Sequence, residues 1–191
     1  MRSRRVLAAV LVLGVLLAGL TALVHDETPS SVPEHETFVF DHSGGPVVEG
    51  GIAYESAAGA ELYHVTLVTS REEMDRFNDS LFAESGGLRR YLSEDVRPFL
   101  NGTDFDEASL VVVEAYPRSS SPDYRVERVV REGDTVTLRI NDSSRGGTDD
   151  ITVETLLVRV SHDGRGPPAR AVVGTEDGFV LDSEDGVVRR D

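Results

Sequence analysis

The first feature of the hydrophobic pattern is an uninterrupted apolar run at residues 6–24, which contains no charged side chain. At about 1.5 Å per residue, a helix of this length spans about 28 Å, close to the hydrocarbon core of a bilayer. Arginines precede the run and acidic residues follow it, so the positive-inside rule places the N-terminus in the cytoplasm. Residues 1–25 are therefore predicted to form a signal anchor, with the remainder of the chain outside the cell.

Cleavage is the alternative fate of this segment. Arg4 and Arg5 stand directly before the apolar run, as in a twin-arginine export signal. A cleavage site needs small residues at positions −1 and −3, and with Ala22 at −1 the −3 residue would be Leu20. This site is poor, so an uncleaved transmembrane helix is favoured, with secretion after cleavage as the alternative.

Beyond the anchor, residues 26–36 combine two prolines with four acidic residues and predict an extended stalk. Residues 37–191 predict one extracellular β-rich domain with a helical insertion at about 70–97. A short strand is expected at 37–40, before a glycine-rich loop. The other segments with strand patterning are 62–68, 110–113, 124–131, 135–141, 151–161 and 170–174.

Two helices are predicted within the insertion. Ser70 and Glu73 have the spacing of a capping box, and the apolar residues that follow lie at helical spacing, so a helix is expected over 71–83. A second helix is expected over 88–96, where Pro98 should stop it.

The strands predict an antiparallel β-sandwich or a partly open barrel. The β-branched run at 110–113 is expected to be central, and 124–131 should pair with 135–141 as a hairpin. The strand at 151–161 is expected to pair with 170–174 across a turn at 162–164. Two similar acidic turns near the C-terminus predict a small terminal hairpin or meander.

Composition excludes several classes of function. The 191 residues include no Cys, which rules out disulfides, Cys-ligated zinc, iron–sulfur clusters, a thiol nucleophile and a lipidated Cys. All 19 basic residues are Arg, and the formal charge is −15. Beyond residue 25 the chain carries 16 Arg against 34 acidic residues, a net −18, which argues against nucleic-acid binding. Such acidity without Lys indicates a protein adapted to concentrated salt, where screening weakens repulsion between carboxylates.

All three asparagines of the chain lie in N-glycosylation sequons. Asn78, Asn101 and Asn141 are followed by Asp-Ser, Gly-Thr and Asp-Ser. These sequences also favour turns, so both interpretations place them on surface loops. They are the candidate modification sites of an exported glycoprotein.

No catalytic, cofactor or metal site is predicted. The triplet Asp41, His42 and Ser43 holds the residue types of a hydrolase triad, but sequence neighbours cannot form one, and no Gly-x-Ser-x-Gly motif occurs. The other histidines are scattered, and the acidic loops do not follow the order of an EF-hand. These histidines and acidic loops are His25, His35, His64, His162, Asp149-Asp150, Glu176-Asp177-Gly178 and Glu184-Asp185-Gly186.

A family resemblance covers residues 104–173. Four features carry it: the acidic turn at 103–107, the run at 110–113, the hairpin that begins at Tyr124 and the strand at 157–160. Their order resembles small exported haloarchaeal proteins and is distantly similar to the PrcB C-terminal domain, a β-domain associated with an extracellular protease complex. Tyr124 matches the tyrosine of that family's Gly-Gly-Tyr turn, whose glycines are absent here. The resemblance implies a protein-binding role.

The sequence therefore predicts a membrane-anchored, extracellular, non-enzymatic domain that binds protein or cell-envelope material in a high-salt organism. The membrane is contacted through the N-terminal helix, and an extracellular protein is the expected partner. The alternative is a secreted or anchored hydrolase with an unrecognised acidic site.

Overall fold

Ten β-strands and one α-helix lie in the part of the chain that the structure describes. The computed structural model describes residues 30–56, 61–82, 90–116, 124–141 and 152–190, with only the backbone described at 90–95. The strands are β1 (Ser30–Ser31), β2 (His35–His42), β3 (Glu61–Val68), β4 (Ala108–Tyr116), β5 (Arg125–Glu132), β6 (Thr135–Asn141), β7 (Val153–Ser161), β8 (Arg170–Thr175), β9 (Val180–Asp182) and β10 (Val188–Arg190), and the helix is α1 (Arg90–Asn101).

The strands form two five-stranded sheets. Sheet A has the order β1-β5-β6-β8-β9, and sheet B has the order β10-β3-β4-β7-β2. The two sheets enclose an apolar core to which each contributes one face, so the fold is mostly β and consistent with a sandwich. Val113 and Leu156 reach this core from sheet B, and Leu138 and Val173 reach it from sheet A.

The central strands of sheet B, β4 and β7, are buried on both faces. The second face of this sheet holds Leu110, Val112 and Leu157, which pack beneath the segment that connects β3 to β4. That segment covers them with Phe77, Leu81 and Phe82 from its turns and with Val96 and Leu100 from α1; Phe40 of β2 joins the same cluster. The result is three layers, and every residue of β4 is buried. This explains why β4 has a continuous apolar run rather than alternation.

The helical insertion differs from the prediction in both of its helices. In place of the α-helix predicted over 71–83, the described residues 71–82 contain a short 3-10 helix at Glu72–Arg76, and Phe77 is extended and bridges to Val48. Burial of the aromatic residues that follow overrides the local helical preference. The second helix continues through Pro98 to Asn101, where Val96 and Leu100 bury one face against sheet B.

One predicted strand pairing is wrong. β7 pairs with β4 and β2, whereas β8 lies in the other sheet, parallel to β6 and antiparallel to β9. The chain changes sheets across residues 162–169, where Pro167 and Pro168 cannot donate to a ladder. Of the two acidic turns near the C-terminus, the first joins β8 and β9 as an antiparallel hairpin, whereas the second leads from β9 to β10 in the other sheet.

Other predictions are confirmed. β4 is the middle strand of sheet B, and β5 and β6 form a hairpin whose turn uses Gly133 at φ 58°. Along β6, Val136, Leu138 and Ile140 are buried, while Thr137 and Arg139 are exposed. β1 and the start of β2 lie within residues 26–36, so part of the expected stalk is paired into the sheets.

The predicted transmembrane helix lies outside the described residues. Within the described part of the chain, no helix is long and apolar enough to cross a bilayer.

The three-layer arrangement makes a prediction about two neighbouring leucines of β7. Leu156 faces sheet A and Leu157 faces the helical layer, and both are almost completely buried. Leu156→Ala and Leu157→Ala should each lower the free energy of unfolding by about 2–5 kcal/mol, measured by chemical denaturation in molar salt. The exposed Val180→Ala is the control, with a change within about 0.5 kcal/mol. If the fold had only two layers, Leu157 would be exposed, and Leu157→Ala would change the free energy of unfolding as little as Val180→Ala does.

Candidate functional site

One cluster of buried polar side chains lies on the face of sheet B that packs beneath the segment between β3 and β4. His64 of β3 lies opposite Glu114 of β4, which lies opposite Thr155 of β7. All three side chains are buried, and Glu114 has no exposed surface. A lone acid within an otherwise apolar central strand is a sequence signal that could have revealed this cluster.

The Glu114 carboxylate is fully engaged by its surroundings. One oxygen accepts a hydrogen bond from the backbone N–H of Val47 at 2.8 Å, and the other lies 3.3 Å from Nδ1 of His64. Nε2 of His64 lies 3.4 Å from the Thr66 hydroxyl. A Cβ at Gly51 would overlap the carboxylate, so glycine is required there. The carboxylate thus fastens the glycine-rich loop onto sheet B.

His42, at the end of β2, is a different case. It is 2% exposed, and in the described structure neither ring nitrogen has a hydrogen-bond partner. The hydroxyl of Thr155 is also unpartnered. Burial lowers the pKa of His42 to about 4, and the nearby Asp41 carboxylate opposes this shift only in part. His42 is therefore neutral at pH 7 and packs beside the Phe40 ring. Of the triplet Asp41, His42 and Ser43, only His42 is buried, as the last residue of β2.

A second buried pair joins Ser109 and His162. The Ser109 hydroxyl lies 2.8 Å from Nε2 of His162, and Nδ1 of that histidine lies 3.3 Å from the backbone carbonyl of Asp106. Ser109 is buried on the face of β4 that faces sheet A. Close by, Arg131 donates to the backbone carbonyls of Gly133, His162 and Gly166, so its buried guanidinium closes this end of the sandwich.

The accessible concave surface lies elsewhere, at the C-terminal end of α1. A groove of about 670 Å³ runs between the start of β2 and the end of β7, with Arg159 in its wall. The guanidinium of Arg159 donates to the Phe99 carbonyl and the Thr103 hydroxyl, pairs with Glu36, and lies 4.4 Å from the Phe99 ring centroid. Arg159 therefore holds the end of the helix, where a cation is favoured. The remaining charged lining is acidic: Glu34, Asp104 and Glu107.

These arrangements favour a structural role for the titratable groups. Glu114, His64, Ser109 and His162 are buried and engaged with one another or with the backbone, whereas general acid–base catalysis requires contact with a substrate. In the described ranges, no three His, Asp or Glu side chains are placed to hold a metal ion.

The predicted acidic loops near the C-terminus are salt-bridged turns. Asp177 pairs with Arg190, which also pairs with Glu61 and stacks on Phe179. The second turn begins at β9, whose Asp182 pairs with Arg170. Asp149-Asp150 lies outside the described residues.

The three sequon asparagines have different surroundings. The Asn78 side chain is half-buried, and its amide nitrogen donates to the Pro46 carbonyl at 3.2 Å. Asn141 donates to Glu127 at 3.2 Å. Asn101 is exposed at the end of α1, although the hydroxyl of Thr103 in the same sequon is buried against Phe99 and Arg159.

The most extended free backbone belongs to β2. Two of the four sheet edges, β9 and β10, have three residues, a third, β1, has two, and β2 has eight. Its ladder with β7 is continuous from His35 to His42, and no proline interrupts it. Short strands, bulges and prolines protect many sheet edges, and β2 has none of these three, although it carries the charged residues Glu36 and Asp41.

No family model, curated protein or solved structure matches the chain.

The buried His42 predicts a pH dependence of stability. Because the pKa is about 6.5 in the unfolded chain and about 4 in the folded chain, the unfolded state binds the proton first as the pH falls. The free energy of unfolding should therefore decrease from pH 6.5 toward pH 4. His42→Leu should remove about 2 kcal/mol of the difference between pH 7 and pH 4.5, measured by denaturation in molar salt.

The exposed His35 on the same strand provides the matched control. His35→Leu should keep the wild-type difference between the two pH values. Equal pH dependence in wild type and His42→Leu would contradict a buried neutral imidazole at position 42.

The surroundings of the sequons predict which asparagine can carry a glycan in the folded chain. A glycan on Asn78 would replace the N–H that donates to Pro46, whereas a glycan on Asn101 would project into solvent. Glycopeptide mass spectrometry of the exported protein should find the modification at Asn101 and not at Asn78. Stoichiometric glycosylation of Asn78 would contradict this prediction.

Proposed function

We propose that the chain is a membrane-anchored extracellular domain that binds protein, and that it does so by pairing an extended segment with the free edge of β2. The anchor, its orientation and the sequons support a location outside the cell. The eight-residue edge strand is the observation that carries the binding role. The acidic composition without Lys supports function in concentrated salt.

The hydrogen-bonding capacity of this edge follows from the ladder on its other side. The Ser161 N–H donates to the Glu34 carbonyl, so Glu34 and the alternate residues after it point their backbone groups toward β7. The N–H and C=O groups of His35, Thr37 and Val39 consequently point away from β7, as do those of Asp41. An added strand would satisfy them in the manner of β-augmentation.

The face of β2 that points toward sheet A is also open. All four side chains on this face, those of His35, Thr37, Val39 and Asp41, are exposed. Val39 is 39% exposed and Val32, in the link from β1 to β2, is 69% exposed. An exposed apolar side chain beside an unpaired edge is typical of a surface that a partner covers.

The hydrolase alternative has its best support in the 2.8 Å contact between Ser109 and His162. Ser109 has no exposed surface and faces sheet A, whereas its neighbours in the groove wall, Ala108 and Ser161, lie on the opposite face of sheet B. The groove and the serine are therefore on different sides of the sheet. This separation favours binding over hydrolysis.

Crosslinking from β2 tests the proposal. The chain has no Cys, so Val39→Cys introduces a single thiol that can carry a benzophenone label. In membranes kept in molar salt, irradiation should give a discrete adduct from position 39. Val187→Cys is the matched control, since Val187 is 42% exposed and lies outside the strands, and it should give no such adduct.

Thr37→Pro added to the labelled chain tests whether the backbone is used. Proline removes an N–H that points away from β7, so the fold should persist while the adduct is lost. Absence of an adduct from position 39, or the same adducts from positions 39 and 187, would refute protein binding at this edge.

A further inference from the structure

We infer that the segment that pairs with β2 is β2 of a second copy of this chain, arranged antiparallel about a two-fold axis that passes through Phe38. The inference rests on the proposed use of this edge and specifies its occupant. A strand edge that meets its own copy in antiparallel orientation forms a closed, symmetric interface and extends sheet B into one ten-stranded sheet.

The register follows from which backbone groups are free. Residues His35, Thr37, Val39 and Asp41 point their N–H and C=O groups outward. A two-fold axis at Phe38 places all four opposite one another and forms four hydrogen-bonded residue pairs. An axis at Val39 forms only three, since His35 would then lie opposite a residue beyond the strand.

The side chains of the open face are self-complementary in this register. Thr37 lies opposite Val39 of the second copy, which is a favourable pairing of two β-branched residues. His35 lies opposite Asp41 of the second copy, so an acid meets a base rather than another acid. Each pairing occurs twice by symmetry, and together they cover the exposed Val39 of both copies.

Charge decides the conditions under which the pair forms. Each copy carries a net −18 beyond residue 25, and Glu34 and Glu36 lie beside the edge. At 1 M salt the Debye length is about 3 Å, so repulsion between two copies is largely screened while backbone hydrogen bonds remain. Pairing should therefore be stronger in molar salt than in dilute buffer.

Disulfide trapping in the Cys-free chain tests both the occupant and the register. Full-length chains with Thr37→Cys and with Val39→Cys, carrying different tags, are co-expressed and oxidised in membranes in molar salt. In the inferred register these two positions form a hydrogen-bonded pair with Cα atoms about 5.5 Å apart, within the range that a disulfide bridges. Two copies of position 37, or two copies of position 39, are offset from each other by two residues, so their Cα atoms are more than about 7 Å apart and a disulfide cannot bridge them.

The mixed disulfide should therefore form in severalfold excess over both homodisulfides. Val187→Cys co-expressed with Thr37→Cys is the matched control and should give none. A dominant disulfide between two copies of Val39→Cys would overturn the register, and absence of the mixed disulfide would overturn the self-pairing.

The failure of this inference can be told apart from failure of the proposed function. If the benzophenone at position 39 captures a protein of another mass and no mixed disulfide forms, the edge binds a different partner and the second copy is excluded. If neither adduct nor disulfide forms, both the binding role and the self-pairing are refuted.

Discussion

The burial of the central strands of sheet B on both faces is the constraint on which the rest of the structure depends. The middle strand of this sheet, β4, packs against sheet A on one face and beneath the segment between β3 and β4 on the other, so neither face of β4 is exposed to solvent. Any polar side chain in it must find a partner inside the protein, because an unpaired buried polar group costs about 1–3 kcal/mol. The two polar side chains of β4 meet this condition: Glu114 binds the loop and His64, and Ser109 binds His162.

The same constraint separates the buried polar groups from the accessible surface. Residues of catalytic type are used to attach a loop to sheet B or to close an end of the sandwich, as Glu114 and Arg131 do. Toward the β2 edge of sheet B the burial ends, and Val39 is exposed. The proposed binding role therefore rests on the backbone groups of this edge and not on the buried polar side chains.

Much of the fold could be predicted from local pattern, and the exceptions have physical causes. The alternation of β6 and the apolar run of β4 identified one half-buried and one fully buried strand. The α-helix expected over 71–83 is replaced by a short 3-10 helix because Phe77 and Phe82 are buried in the core. The expected pairing of β7 with β8 does not occur because the sheet to which a strand belongs depends on contacts distant in sequence. The open edge could not be predicted at all, since neither the order of strands nor the length of β1 is encoded locally. The scattered spacing of the histidines also gave no sign that His64 and His162 are buried partners of Glu114 and Ser109.

The central claim is that the edge of β2 is occupied in the assembled protein, and residue-resolved hydrogen exchange tests it most directly. In membranes in molar salt, the amides of Thr37 and Val39 should exchange as slowly as those of Phe38 and Phe40, which are bonded to β7. In the Thr37→Pro chain, the Val39 amide should become fast while Phe38 stays slow. Fast exchange at Thr37 and Val39 in the unmodified chain, alternating with slow exchange at Phe38 and Phe40, would show an empty edge and contradict the account.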